Sequence, residues 1–265
     1  MPLHLKKEKV IHSGRRNTVY EMVDPLTGKR YAYKTFQKPD EYTAEINFNM
    51  FSRHPFIAKA ICIQPLEEQA GIVFELVDGM SSMAYVRQPT TTPEDLVRIS
   101  AQLLMAMEYV HWLGFVHADL KPENVMIDKS GNIKVIDFGF AIPLPFFKTN
   151  RGTPTTIAPE LVQAVSGLVH EGIDWWAYGS TLGIWHGLAV SSSKSRKFVP
   201  IRVDRHEGIT FGKIPEAFQD DLRQLIHLML SPNPERRRFN TKKQLDFLKR
   251  LPFFRHYRWP EVDLY

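Results

Sequence analysis

Between His117 and Gly139 the chain is committed to a loop, a hairpin and a second loop, and little else in the sequence is as restrictive. His117-Ala118-Asp119-Leu120-Lys121-Pro122-Glu123-Asn124 is polar and turn-forming, and it runs into the short apolar stretch Val125-Met126-Ile127. Asp128-Lys129-Ser130-Gly131-Asn132 reads as a hairpin turn, after which Ile133-Lys134-Val135-Ile136 returns to Asp137-Phe138-Gly139. A hairpin brings its two ends together, so this one delivers Asp137 beside Asn124. A carboxylate that only accepts hydrogen bonds, next to a neutral amide oxygen, suits a hard cation such as Mg2+. Asp119 is left to orient or deprotonate a hydroxyl, and Lys121 to neutralise a phosphate. An ordinary hairpin with turn residues explains one such loop; two at this spacing point to chemistry.

The flanking sequence supplies a sheet on one side and helices on the other. Residues 9–36 read as three strands, with Val19–Val23 and Arg30–Phe36 joined by the turn Asp24-Pro25-Leu26-Thr27-Gly28. Gly71–Val77 reads as a buried strand running into Asp78-Gly79. Thr92-Pro93-Glu94-Asp95 starts a helix, with a Thr cap, Pro at the first helical position and acids in the first turn. Leu96, Ile99, Leu103, Met107 and Val110 recur along it at helical spacing up to Gly114; His111, on the same helix, reads as structural. Trp175–Val190 is apolar all round but carries Tyr178, Ser180, Thr181 and His186, which makes it a buried helix and not a membrane span. Ser191–His206 reads as a surface loop, and Glu216–Leu230 as an amphipathic helix with Leu222, Leu225, Ile226 and Met229 on one face.

With 265 residues there is enough chain for a sizeable core, as one large domain or two lobes. The net charge of +5 comes without a dense Lys/Arg run, so nucleic acid is not an expected partner. Cys62 is the only cysteine, which excludes an intrachain disulfide and favours an intracellular setting, cytoplasm or nucleus; the first residues lack the apolar core of a signal peptide.

The two loops resemble the protein kinase signature H-R-D-L-x-x-x-N followed by D-F-G, and Lys121-Pro122-Glu123-Asn124 resembles its Ser/Thr branch. The resemblance extends over about residues 9–259. Tyr31-Ala32-Tyr33-Lys34 looks like the V-A-I-K strand, which makes Lys34 the phosphate-binding lysine. Glu45, placed ahead of His54-Pro55-Phe56-Ile57 at the family's spacing, would be its partner. Only eleven positions separate the two, so no additional helix is expected between them. Ile11–Val19 would be the phosphate lid, keeping Gly14 but carrying His12 and Asn17 where glycines are usual. By the same resemblance Ile11, Gly14, Val19, Ala32, Phe74 (as gatekeeper) and Met126 line a nucleotide site, and the backbone of Glu75 and Val77 meets adenine.

Gly152-Thr153-Pro154-Thr155-Thr156-Ile157-Ala158-Pro159-Glu160 resembles the close of an activation segment. It implies bonds from Thr153 to Asp119 and Lys121, and a salt bridge from Glu160 to Arg237 of Asn233-Pro234-Glu235-Arg236-Arg237. Ile173-Asp174-Trp175-Trp176-Ala177-Tyr178-Gly179 and Leu251-Pro252-Phe253-Phe254-Arg255 are similar to segments of the cyclic-nucleotide-dependent group, whose long C-terminal tail is missing. Asp174 would brace the catalytic-loop backbone. The departures are Ala118 for the arginine of H-R-D, Thr156 for a tyrosine, and Asn49 where an apolar packing residue is usual. Thr149 stands at the position of an activating phosphothreonine.

The resemblance implies an α+β, two-lobed fold, with a β-rich lobe over residues 1–77 and a mainly helical lobe over 78–265. It implies ATP and Mg2+ as cofactors, the latter held by Asn124 and Asp137, and Ser/Thr hydroxyls of proteins as acceptors. Lys34, Glu45, Asp119, Lys121 and Asn124 would be the catalytic set. Two other readings stay open. One is a pseudokinase scaffold, for which the altered lid argues. The other is a small-molecule kinase of related fold, against which Ala158-Pro159-Glu160 and Arg237 argue.

Overall fold

Alternation of aromatic and β-branched residues with polar ones builds an antiparallel sheet from the first 75 residues. The computed structural model describes residues 3–66, 69–147, 152–162, 168–187 and 216–260. The sheet contains β1 (Lys6–Ser13), β2 (Asn17–Val23) and β3 (Arg30–Phe36), then, after helix α1 (Pro39–Asn49), β4 (Ala60–Leu66) and β5 (Gln69–Glu75). Its strand order is β1-β2-β3-β5-β4. The β2–β3 turn forms because Asp24 accepts the N–H of Leu26 at 2.9 Å and the hydroxyl of Thr27 at 2.8 Å, while Gly28 takes a φ of 68°.

Register decides what each face carries. Met22, Tyr31, Tyr33 and Val73 form a small core on one face. Val19 pairs with Lys34, and Ala32 with Phe74, so these four side chains share the opposite face, which becomes the roof of the site.

Helix α1 follows β3 directly and opens with Pro39, Asp40 and Glu41 in its first turn. Beyond it, the backbone of residues 56–58 binds the later sheet. Val135 donates its N–H to Phe56 at 2.8 Å, and Ala58 donates to Val135 at 3.0 Å. That sheet combines β6 (Gly79–Ser81) with the hairpin β8 (Val125–Asp128) and β9 (Ile133–Val135). Gly79 is required there, since a Cβ would fall 1.9 Å from the carbonyl oxygen of Ile127.

Between these strands lie α2 (Ser82–Val86), α3 (Pro93–Trp112) and the short β7 (Phe115–Val116). Thr92 caps α3 reciprocally with Asp95. Then come β10 (Ile142–Pro143), β11 (Phe146–Phe147), α4 (Pro159–Val162), β12 (Leu168–Val169), α5 (Gly172–Trp185), α6 (Glu216–Met229) and α7 (Lys242–Lys249).

The main core is helical. Ile99, Leu103, Met107 and Val110 of α3 pack with Trp175, Tyr178 and Leu182 of α5 and with Leu222, Leu225, Ile226 and Met229 of α6. The hairpin and both polar loops sit between this core and the sheet. The architecture is thus α+β, a β-rich part joined to a helical part. Among the described residues no helix is long and apolar enough to cross a membrane. Thr149 with Lys148 and Arg151, the stretch Ser191–His206, and the side chains of Phe146 and Phe147 lie outside the described residues.

Candidate active site

Strand β3, helix α1 and the loop after β9 converge on one ammonium. Lys34 donates to Glu45 Oε2 at 2.6 Å and to Asp137 Oδ1 at 2.7 Å. Lys34 and Glu45 are almost wholly buried, whereas the Asp137 side chain keeps 35% of its exposure. Burial works against the lysine's charge, but the two carboxylates more than offset it and hold its pKa above the ordinary value. Burial also pushes the Glu45 carboxyl up, with Lys34 opposing. At Asp137 burial is outweighed by Lys34 and the carboxyl is held at about 2. Glu45 does a second job with its other oxygen, accepting the N–H of Phe138 at 3.0 Å. Asp137 itself sits at a φ of 65°, a conformation that side-chain-bearing residues rarely adopt; Lys34 and the Gly139 N–H hold its carboxylate.

Below this triad lies the loop after β7. Asp119 Oδ1 accepts the Thr153 hydroxyl at 2.7 Å, Asp119 Oδ2 accepts the Lys121 ammonium at 2.8 Å, and Lys121 also donates to Thr153 Oγ1 at 2.9 Å. Asn124 donates its side-chain amide to the Asp119 carbonyl at 2.9 Å, which leaves its amide oxygen as the group that can bind elsewhere. Ile136 donates its N–H to the Asn124 carbonyl at 2.9 Å, so the hairpin does set Asp137 next to Asn124.

Support for this loop comes from α5. Asp174, fully buried, accepts the N–H of His117 at 2.7 Å and of Ala118 at 3.0 Å, and pairs with His111 Nε2 at 3.0 Å. Burial opposes its charge, yet the His111 bond and the His117 contacts hold its carboxyl below the ordinary aspartate value. Ala118 takes a φ of 61°, tolerated because its N–H is fixed this way. His111 therefore has a specific partner in the brace, which no local sequence signal indicates, since Asp174 lies 63 positions away.

Asn49 also behaves differently from a packing residue. It is buried and donates to the Glu45 carbonyl at 2.8 Å, one turn back. Its neighbour Phe48 supplies the ring instead, stacked on Phe138 at 3.8 Å with the planes 11° apart, while the His117 ring lies 4.6 Å from the same ring, tilted by 40°. Arg237, fully buried, donates to Glu160, to the Ser231 carbonyl and to the Gly172 carbonyl.

The remaining sequence-predicted residues lie on the sheet, its exit and the hairpin. Ile11 is exposed, Val19, Ala32 and Met126 are half-buried, and Phe74 is buried. Glu75 uses its N–H on the Lys59 carbonyl at 2.9 Å, and its carboxylate accepts Lys134 at 2.7 Å. Val77 is half-buried just beyond. Gly14 is tight against its neighbour: a Cβ would come within 2.8 Å of His12 Nε2.

Comparison with known proteins agrees with this geometry. Residues 5–246 match the family described as protein kinase domain. The chain is 32% identical over 214 residues to the cAMP-dependent protein kinase catalytic subunit 3 of Drosophila melanogaster, covering 79% of this chain and 36% of that one. It is 28% identical over 266 residues to the cAMP-dependent protein kinase type 3 of Saccharomyces cerevisiae, covering 96% and 65%. With a RAC family serine/threonine-protein kinase homolog of Dictyostelium discoideum it shares 29% identity over 268 residues, covering 96% and 58%. The chain thus spans between about a third and two thirds of the length of these relatives.

Proposed function

From the premise that this chain belongs to the protein kinase family, we propose that it is an active serine/threonine protein kinase. It transfers the γ-phosphoryl group of ATP to hydroxyls of protein substrates. The observation that carries this is the buried Lys34 ammonium held between Glu45 at 2.6 Å and Asp137 at 2.7 Å. A scaffold has no need to keep the Lys34 and Glu45 charges desolvated beside a third, partly exposed one, since a buried charge is costly unless paired. The Thr153 hydroxyl on both Asp119 and Lys121 favours the same reading, since it ties the segment that presents an acceptor to the groups that would act on it.

The family uses ATP and Mg2+, and the residues present fit both. Among the described residues no cluster of three His, Cys, Asp or Glu side chains could hold a metal unaided. Asp137 has a partly exposed carboxylate and Asn124 an amide oxygen turned away from its own hydrogen bond, and two such donors suit Mg2+ that takes its other ligands from phosphates and water. Bound there, the ion would neutralise charge on the phosphate oxygens. Asn124 and Asp137 would hold it, and Lys34 would steady the α- and β-phosphates with Glu45 fixing its position. Asp119 orients the acceptor hydroxyl and takes its proton, while Lys121 balances charge at the transferring group.

On the sheet side Ile11, Val19, Ala32, Phe74 and Met126 enclose the base, and Gly14 lets the lid backbone approach the phosphates. The N–H of Glu75 is already engaged, leaving its carbonyl, with the backbone of Val77, to meet the adenine edge. We assign residues 1–77 to the N-terminal lobe and 78–265 to the C-terminal lobe, and keep the intracellular assignment on the strength of the single Cys62. The test is transfer of label from γ-labelled ATP to mixed protein substrates by wild type and by Asp137→Ala, with folding checked by circular dichroism. Transfer by the wild type that Asp137→Ala loses is expected. Equal label with both would sink the proposal.

A further inference from the structure

The lid hairpin is poorly secured by its own sequence. Strand β1 is exposed at every residue, lies at the edge of the sheet, and pairs with β2 through two register shifts. Yet its tip is tied down at three points, all through Arg16. Gln37 donates its N–H to the Arg16 carbonyl at 2.7 Å. The Arg16 Nε lies 3.7 Å from Glu41 Oε1, and its guanidinium sits 4.4 Å from the centroid of the Phe140 ring.

Glu41 is an unusual partner. It is only 4% exposed, and among the described residues its one ion pair is with Arg16. It stands one helical turn before Glu45, on the same face of α1. Gly139 shows where that face points. A Cβ there would lie 3.3 Å from Asp137 Oδ1, 3.5 Å from Glu45 Oε2 and 3.6 Å from Glu41 Cβ. Glu41, Glu45 and Asp137 therefore converge on one glycine, and Arg16 reaches this convergence from the lid.

We propose that Arg16 is a positioning residue of the phosphate site, docking the lid tip onto Glu41 and the Phe140 ring so that lid, α1 and the Asp137 loop hold one arrangement. This rests on the kinase reading above. A buried carboxylate without a partner is expensive, so Glu41 selects the docked lid. Arginine can pair with a carboxylate and lie on a ring at once, which a lysine ammonium does less well. Any swing of α1 that takes Glu45 off Lys34 also takes Glu41 off Arg16. Lid closure and assembly of the Lys34 triad are thereby coupled. A lid with His12 and Asn17 in place of glycines is held by this side chain in addition to its backbone.

The experiment compares wild type, Arg16→Ala, Arg16→Lys, Arg16→Glu, Glu41→Gln and the charge swap Arg16→Glu/Glu41→Arg. It reads KM for ATP, kcat, and hydrogen exchange of residues 9–20 and 39–49. Arg16→Ala and Glu41→Gln should each raise KM for ATP by about three- to tenfold, the effect of losing a half-exposed ion pair and a ring contact. They should change kcat less than twofold and speed exchange in both segments together; Arg16→Lys should fall between. The swap should recover part of the KM that Arg16→Glu alone loses. Unchanged KM and exchange in both single variants would overturn the docking, as would faster exchange confined to the hairpin. Failure of wild type to transfer phosphate would instead sink the kinase reading, because the exchange measurement tests the docking without any activity.

Discussion

Replacing Arg237 with methionine offers the sharpest test of how the end of the activation segment is held. The guanidinium is fully buried, donates to the Gly172 carbonyl at 3.0 Å, to the Ser231 carbonyl and to Glu160, and lies 5.2 Å from the Trp176 ring. Methionine fills most of that volume, so the loss is electrostatic more than steric. Breaking a buried pair from one side costs about 3–5 kcal/mol. The Glu160 side chain keeps 20% exposure while its Oε2 is buried, so solvent relieves the freed carboxylate only in part and the lower half of that range applies. Two carbonyls losing their donors contribute about 1 kcal/mol each. These terms share one side chain and do not fully add, which leaves about 4 kcal/mol, a large part of the 5–15 kcal/mol typical of a whole domain. Calorimetry should show Tm falling by about 8–10 °C. The partner change Glu160→Gln, which keeps an acceptor, should cost about 1–2 kcal/mol. The double variant Arg237→Met/Glu160→Leu should be more stable than Arg237→Met alone, because no charge is then stranded. A single-variant loss below about 1 kcal/mol, or a double variant no better than the single, would refute the reasoning.

Three further outcomes follow from the site. Lys34→Met should lower kcat/KM by about 10²-fold or more with near-UV circular dichroism unchanged; activity within tenfold of wild type at saturating ATP would remove Lys34 from the phosphate site. The Asp137 carboxyl is depressed from 3.8 to about 2, so its stabilising contribution is present above pH 3.8 and is lost as pH falls through 2. Tryptophan fluorescence against pH should thus be steeper over that window for wild type than for Asp137→Asn, and equal slopes would count against the Lys34 contact. Thr149→Ala should change the rate less than tenfold, since Ala118 offers a phosphate neither charge nor donor, and a larger drop measured in initial rates would mean the segment is phosphate-switched.

What was legible in the sequence were the pairs that loop spacing determines. Lys34 with Glu45, Thr153 with Asp119 and Lys121, Glu160 with Arg237, and Asp174 with the backbone at 117–118 each join two recognisable segments, and in each the contact is present in the fold. Contacts that depend on how a helix is rotated, or on a residue outside any motif, were not. Phe48 and Asn49 are adjacent on α1, about 100° apart around its axis. Which of them meets Phe138 is decided by where Glu45 is pulled by Lys34, and that no local pattern encodes. His111 and Arg16 find Asp174 and Glu41 only through tertiary packing, 63 and 25 positions away.

Ala118 shows how the chain manages without the arginine usual there. Holding an alanine at a φ of 61° costs about 1–2 kcal/mol, and its methyl group contributes no charge to the activation segment. The backbone is kept in that conformation by Asp174, which takes two N–H groups on a buried carboxylate, an arrangement of charge-assisted bonds strong enough to offset the strain. The segment itself is then fixed from both sides of position 157. Thr153 is clasped by Asp119 and Lys121, and Glu160 by an arginine that also secures the start of α5 through Gly172. That same helix carries Asp174. One element, α5, therefore braces both the catalytic loop, through Asp174, and the end of the segment, through Gly172 and Arg237.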